Sequence, residues 1–104
     1  MRMTGKANIL IPTHSQASDG SDIIQYSINR TIDCDFQALK YNVQFKTFGI
    51  TDKTSNIMFA TDLQLKKDFG LTPEIRIGFD EAQYTINSII PYKKHIEVYL
   101  EKVI

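Results

Sequence analysis

From Leu39 to Thr47 the large apolar side chains fall on alternate positions, Leu39, Tyr41, Val43 and Phe45, with Lys40, Asn42, Gln44 and Lys46 between them. A period of two predicts a half-buried strand with one dry face. Gly49 and the polar Thr51-Asp52-Lys53 then mark a turn, and Ile57, Met58 and Phe59 lie in a second strand-like run over Thr54 to Ala60, so the two runs read as a hairpin. Upstream, Ile24, Tyr26 and Ile28 alternate with polar neighbours, as do Ile32, Cys34 and Phe36, which predicts one long strand or two short ones. Asn8 to Ile11 reads as a short strand ended by Pro12, which has no N–H to donate to a ladder.

The last third repeats the alternation. Ile75, Ile77 and Phe79 precede an acidic turn at Asp80-Glu81-Ala82, and Tyr84, Ile86, Ser88 and Ile90 share one face of the next run. After Pro91 to Lys94, Ile96, Val98 and Leu100 alternate with Glu97, Tyr99 and Glu101. These runs predict a three-strand meander. Six to seven short strands without a long helix predict an all-β fold, a small antiparallel barrel spanning residues 1–104 as a single domain. Its expected interior includes Tyr41, Val43, Phe45, Tyr84, Ile86, Ile96, Val98 and Leu100.

Two segments stand outside this scheme. Thr13 to Asp22 has no apolar residue larger than Ala17 and predicts a flexible arm, because nothing in it offsets the entropy of ordering. Thr61 to Pro73 carries Leu63, Leu65, Phe69 and Leu71 among Lys66, Lys67 and Asp68. It supports either a short helix, capped by Asp62 and ended by Gly70, or a strand.

Composition agrees with the β reading: Ile, Val and Thr far outnumber Ala and Leu. Lys plus Arg and Asp plus Glu both total 12, giving a net charge of zero with no acidic or basic tail. That balance removes the electrostatic basis for tight duplex-DNA binding. No apolar run approaches the roughly 20 residues of a membrane span, and Pro12, His14 and Gln16 interrupt any signal-peptide core, so neither a membrane role nor secretion through the N-terminus is expected.

Candidate chemistry is sparse. The single cysteine, Cys34, sits on the inward parity of its strand between Asp33 and Asp35, a setting for a buried structural thiol rather than a nucleophile partnered by His14 or His95. Asp33 and Asp35 share a face but lack a third ligand at useful spacing, so no metal is expected. The five glycines are isolated, which leaves no phosphate cradle and implies no cofactor. The chain reads as a non-enzyme. A small barrel that stacks single-stranded nucleic acid on its aromatics remains an alternative, with Lys66-Lys67 and Lys93-Lys94 as its local basic clusters.

Over residues 31 to 101 the chain resembles tailed-bacteriophage head-closure, or stopper, proteins and related head-tail connector and minor capsid proteins. The likeness rests on Ile75-Arg76-Ile77-Gly78-Phe79 before an acidic turn, on Tyr84-Thr85-Ile86 through Ile89-Ile90-Pro91-Tyr92, and on His95-Ile96-Glu97-Val98-Tyr99-Leu100. Thr31-Ile32-Asp33-Cys34, Tyr41-Asn42-Val43, Phe48-Gly49 and Ser55 to Phe59 extend it through the middle of the chain. The glycine or Gly-Asp pair common ahead of the family's Tyr strand is replaced here by Gly78 between Glu74 and Asp80.

The resemblance implies a structural virion component, assembled in the host cytoplasm, that forms a ring under the portal, closes the DNA channel and docks the tail. Its implied partners are the portal or adaptor ring, the tail or a tail-completion protein, and further copies of itself, with packaged DNA met only in passing. It also implies a channel-closing loop, placed here at Thr61 to Pro73. In that loop Lys66 and Lys67 would face DNA, while Leu63, Leu65 and Phe69 would either seal against neighbouring subunits or plug the barrel's own end. The arm, with His14, Ser15, Asp19 and Asp22, is the expected partner-binding element.

Overall fold

The computed structural model describes residues 3–38 and 54–103. Six antiparallel strands close into a barrel: β1 (Gly5–Gln16), β2 (Asp22–Ala38), β3 (Asn56–Ala60), β4 (Arg76–Phe79), β5 (Ala82–Pro91) and β6 (Ile96–Lys102), in the order β1-β2-β3-β6-β5-β4. The fold is therefore the small all-β barrel that the alternation predicts. One helix, α1 (Gln64–Leu71), lies between β3 and β4. The predicted strand at 39–47, its turn and its inward residues Tyr41, Val43 and Phe45 lie outside the described residues, but the expected hairpin is corrected over Asn56 to Ala60, where β3 is flanked by β2 on one edge and β6 on the other.

The meander forms as expected. β4 pairs with β5, β5 with β6, and Tyr84, Ile86, Ile96, Val98 and Leu100 are all buried. Asp80 and Glu81 make a two-residue turn with φ of 50° and 66°, the positive values that such a tight hairpin connection requires at both central positions. The inner face is completed by Ala7 and Ile9 of β1, Ile32 and Cys34 of β2, and Met58 and Ala60 of β3. At the rim holding the Asp80–Glu81 turn, Phe36 stacks on Phe79 with ring centroids 4.1 Å apart and meets Tyr84 edge-on at 5.0 Å, closing that end with aromatic surface.

Three local expectations are corrected. On β5 the pairing slips between Ile86 and Ser88, so Asn87 is a bulged residue and the inward parity passes from Ile86 to Ile89. Ile89 is buried, whereas Ser88 and Ile90 do not continue the inner face; Ile90 instead packs outside the barrel on Ile57 and Tyr99. β1 does not stop at Pro12, which pairs with Tyr26 and is tolerated because β4 borders β1 only over Asn8 to Leu10, leaving Pro12 on an open edge. Thr13 to Gln16, read from sequence as part of a flexible arm or loop, continues β1 and pairs rung by rung with Asp22 to Gln25. Backbone hydrogen bonding holds this part of the hairpin, so it needs no buried anchor.

The result is a barrel with a ribbon. β2 is one continuous strand of 17 residues with a bulge at Asn29, where the partner of Ile9 is Arg30 and that of Leu10 is Ile28. From Ile11–Ser27 to Gln16–Asp22 the two strands run on beyond the ladder of the barrel wall. At about 3.4 Å per residue this ribbon extends about 20 Å. Among the described residues no helix is long and apolar enough to cross a membrane.

Candidate functional site

One rim of the barrel collects most of what the sequence singled out. Ala60 pairs with both Cys34 and Ile96, and Ile96 pairs with Pro91, so the ends of β3 and β5 and the start of β6 lie together there. The chain passes from Ala60 directly into α1, and the β1–β2 ribbon leaves the barrel on the same side.

Thr61 to Pro73 resolves as the helical alternative. Asp62 Oδ1 accepts the Gln64 N–H at 3.1 Å, satisfying one donor of the first turn, and the helix runs one residue past Gly70 to Leu71. Leu65 is fully buried and Phe69 packs against the core, so these two plug the barrel's end. Burial removes Leu65 from any contact with a neighbouring subunit and corrects that part of the expectation. Leu63 and Leu71 remain exposed, at 45% and 84%. Lys67 faces solvent, while Lys66 Nζ donates to the Ile89 carbonyl at 3.4 Å. That bond brings the helix beside the strand leading into the 92–95 turn, where Lys93 and Lys94 are exposed and Tyr92 stacks on His95 at 4.6 Å.

The helix is also tied to the base of the ribbon, through a pairing the sequence reading did not foresee. Arg30 donates from Nε to Asp62 Oδ2 at 2.7 Å and from Nη2 to Asp62 Oδ1 at 3.2 Å and Asp68 Oδ2 at 2.9 Å. Arg30 holds the Asp62 carboxyl below the usual carboxylate range, mainly by hydrogen bonding, and is itself held more firmly protonated. A hollow of about 140 Å³ lies between ribbon and helix, lined among others by Ile11, Asn29, Arg30 and Leu71. The residue spacing holds one faint signal for this clamp: a lone arginine in an otherwise uncharged run, and two aspartates six positions apart across a helix turn.

Of the arm residues, His14 lies on the ribbon and reaches Glu74 at 3.2 Å. Tyr26 Oη donates to the Glu74 carbonyl at 3.2 Å, and the Arg76 guanidinium sits 4.3 Å above the Tyr26 ring. Ser15 and Asp22 are paired with Ile23 and Gln16 in the ladder. Asp19 shapes the tip, accepting from the Ser21 N–H at 3.0 Å and the Ser21 hydroxyl at 2.6 Å beside Gly20, whose φ of 87° suits a residue without Cβ. The four are thus spread along the ribbon rather than gathered in a pocket.

Cys34 is buried, and burial followed by the charges of Asp35 and Asp33 pushes its thiol up to about 11. Asp33 pairs with Lys6, and Asp35 accepts from Gln37 at 3.0 Å. Among the described residues no three His, Cys, Asp or Glu side chains converge as a metal-holding group. An open hollow of about 260 Å³ at the opposite rim is lined by Lys6, Asn8, Gly78, Asp80 and Glu81 among others. Compared with known proteins, the chain matches no family model and no curated protein.

Proposed function

We propose that the chain is a structural connector of a tailed-phage virion, a head-completion or stopper component that assembles as a ring beneath the portal and presents a docking surface to the tail. The observation that carries this reading is the division of the chain into a closed barrel and a ribbon that, beyond Ile11, contributes nothing to the barrel's core. A segment of regular backbone with exposed Ile23, Ile24 and Ile28 suits an element whose partner surface lies on another chain. The resemblance over residues 31 to 101 supplies the kind of assembly. In this reading the ribbon contacts the portal or adaptor ring or the tail, and the α1 rim, with Lys66 and Lys67, faces the channel.

Deleting Ser15 to Ser21 tests it, because the deletion leaves the His14–Ile24 rung to be closed by Asp22 and Ile23 and should spare the barrel. In a phage whose own gene is inactivated, the shortened protein should yield heads that lose DNA or fail to join tails. Infectious particles at the wild-type titre would overturn the connector reading with the ribbon as its contact.

A second reading, a barrel binding single-stranded nucleic acid, draws on the two lysine pairs and the exposed Tyr92 at the α1 rim.

A further inference from the structure

The two edges of the ribbon are not equivalent. The β1 edge carries Pro12, which lacks an N–H, and residues 74–76 lie against that part of the ribbon through His14–Glu74 and Arg76–Tyr26. Among the described residues the β2 edge from Ile23 to Asn29 has no such cover, since β3 borders β2 only from Cys34 to Ala38. Its sequence from Ile23 to Asn29 holds no charge, proline or glycine, the usual means of blunting an open edge. Ile23, Ile24 and Ile28 are 38%, 46% and 61% exposed along it.

We propose that two copies of this chain pair through this edge, β2 against β2 in antiparallel register about a two-fold axis at Tyr26. The pairing joins two ribbons into one four-stranded sheet. Two-stranded ribbons are marginal in water, and a third and fourth strand supply the missing lateral support. The segment is self-complementary in this register. Ile24 meets Ile28 of the second copy twice, Gln25 meets Ser27 twice, Tyr26 meets Tyr26, and no charge opposes another within the span. Sliding by one repeat toward the tip would set Asp22 against Ile28. Sliding the other way would set Ile24 against Arg30, already committed to Asp62 and Asp68. The contact draws on Ile24 and Ile28, which the connector reading gives to another chain, but its test does not depend on that reading: a two-fold contact closes on itself, whereas a ring is built from head-to-tail contacts.

Sedimentation of the full chain from about 5 µM to about 500 µM should show a reversible monomer–dimer equilibrium, as expected of a small interface. Ile24→Lys and Ile28→Glu, both at exposed positions, should each weaken it about 10-fold or more, while the double variant should recover most of the affinity because its opposite charges face each other. Tyr26→Cys should give a disulfide-linked dimer under mild oxidation, since directly opposed strand residues lie within disulfide reach, whereas wild type with its buried Cys34 should not. The proposal is overturned if wild type stays monomeric across the range and Tyr26→Cys does not cross-link. It is equally overturned if a dimer forms that the single substitutions do not weaken, or that Tyr26→Cys does not trap.

Discussion

Arg30 grips Asp62 with two nitrogens, at 2.7 Å and 3.2 Å, across a sequence separation of 32 residues. The contact joins the base of the ribbon to the start of α1, and both side chains are mostly shielded from water, at 29% and 17% exposure. It therefore fixes the plug helix in place as well as pairing two charges.

Removing one partner should loosen the plug. Arg30→Ala leaves two partly buried carboxylates facing each other, so a loss of about 1–3 kcal/mol is expected by chemical denaturation at pH 7. The Asp62 carboxyl lies lower in the folded chain than unfolded, so its contribution is fully present above pH about 4 and is lost as pH falls through the folded value. Asp62→Asn should accordingly lose less stability than wild type between pH 7 and pH 3. Equal losses in the two proteins would show that the pair does not stabilise the fold.

Val98 is fully buried at the centre of β6, between β3 and β5. Val98→Asp places a carboxylate in that interior without a partner, at a cost comparable with the whole stability of a small domain. The variant should lack a cooperative thermal transition by circular dichroism. A wild-type-like melt would contradict the position of the core.

The alternation was sufficient to place β4 to β6 and most of their inward residues, because a two-residue period survives wherever pairing is regular, while β3 was marked only by the apolar run Ile57-Met58-Phe59. It failed where regularity breaks. Asn29 and Asn87 are each the extra residue of a bulge, and each shifts the alternation to the other parity beyond it; the Asn87 side chain donates to Thr54 Oγ1 at 2.7 Å. Asparagine is depleted in strands, so an Asn inside an alternating run was the available signal. The ribbon was misread for a different reason: its ladder is made by backbone groups, which composition does not report. The Arg30 clamp was barely legible, because its partners become neighbours only once the barrel closes.

The Cys34 thiol should be silent in the native protein. Its elevated value, about 11, leaves little thiolate at pH 8, and its burial blocks access. Labelling by a soluble thiol reagent should therefore proceed at the rate of opening and accelerate steeply through the denaturation midpoint. On the connector reading, Cys34→Ala should be close to neutral in phage complementation. Rapid stoichiometric labelling without denaturant, or loss of function in a well-folded Cys34→Ala protein, would point to a chemical role.

Lys66, Lys67, Lys93 and Lys94 separate the two functional readings. A neutral chain with four surface lysines at one rim should attract a single-stranded oligonucleotide only weakly at physiological salt, with a dissociation constant weaker than about 100 µM. Replacing all four by Ser should then change little in a fluorescence-anisotropy titration. Micromolar wild-type binding with a steep salt dependence, abolished by the replacements, would favour the nucleic-acid reading over the connector.

The ribbon should open more readily than the barrel it leaves. Its rungs from Ile11–Ser27 to Gln16–Asp22 stack no buried side chains on one another, so their amides lose protection by local fraying rather than by global unfolding. Hydrogen exchange on dilute protein should show protection decreasing from Leu10 toward the 17–21 turn, with opening free energies of about 0–2 kcal/mol near the tip. Val98 and Leu100 should exchange only with the whole domain. Because the tip contributes so little to the core, deleting Ser15 to Ser21 should shift the thermal midpoint by no more than about 3 °C. A larger shift, or ribbon amides as protected as those of β6 in dilute monomer, would mean that the ribbon is part of the barrel's cooperative unit and not an element left over for a partner.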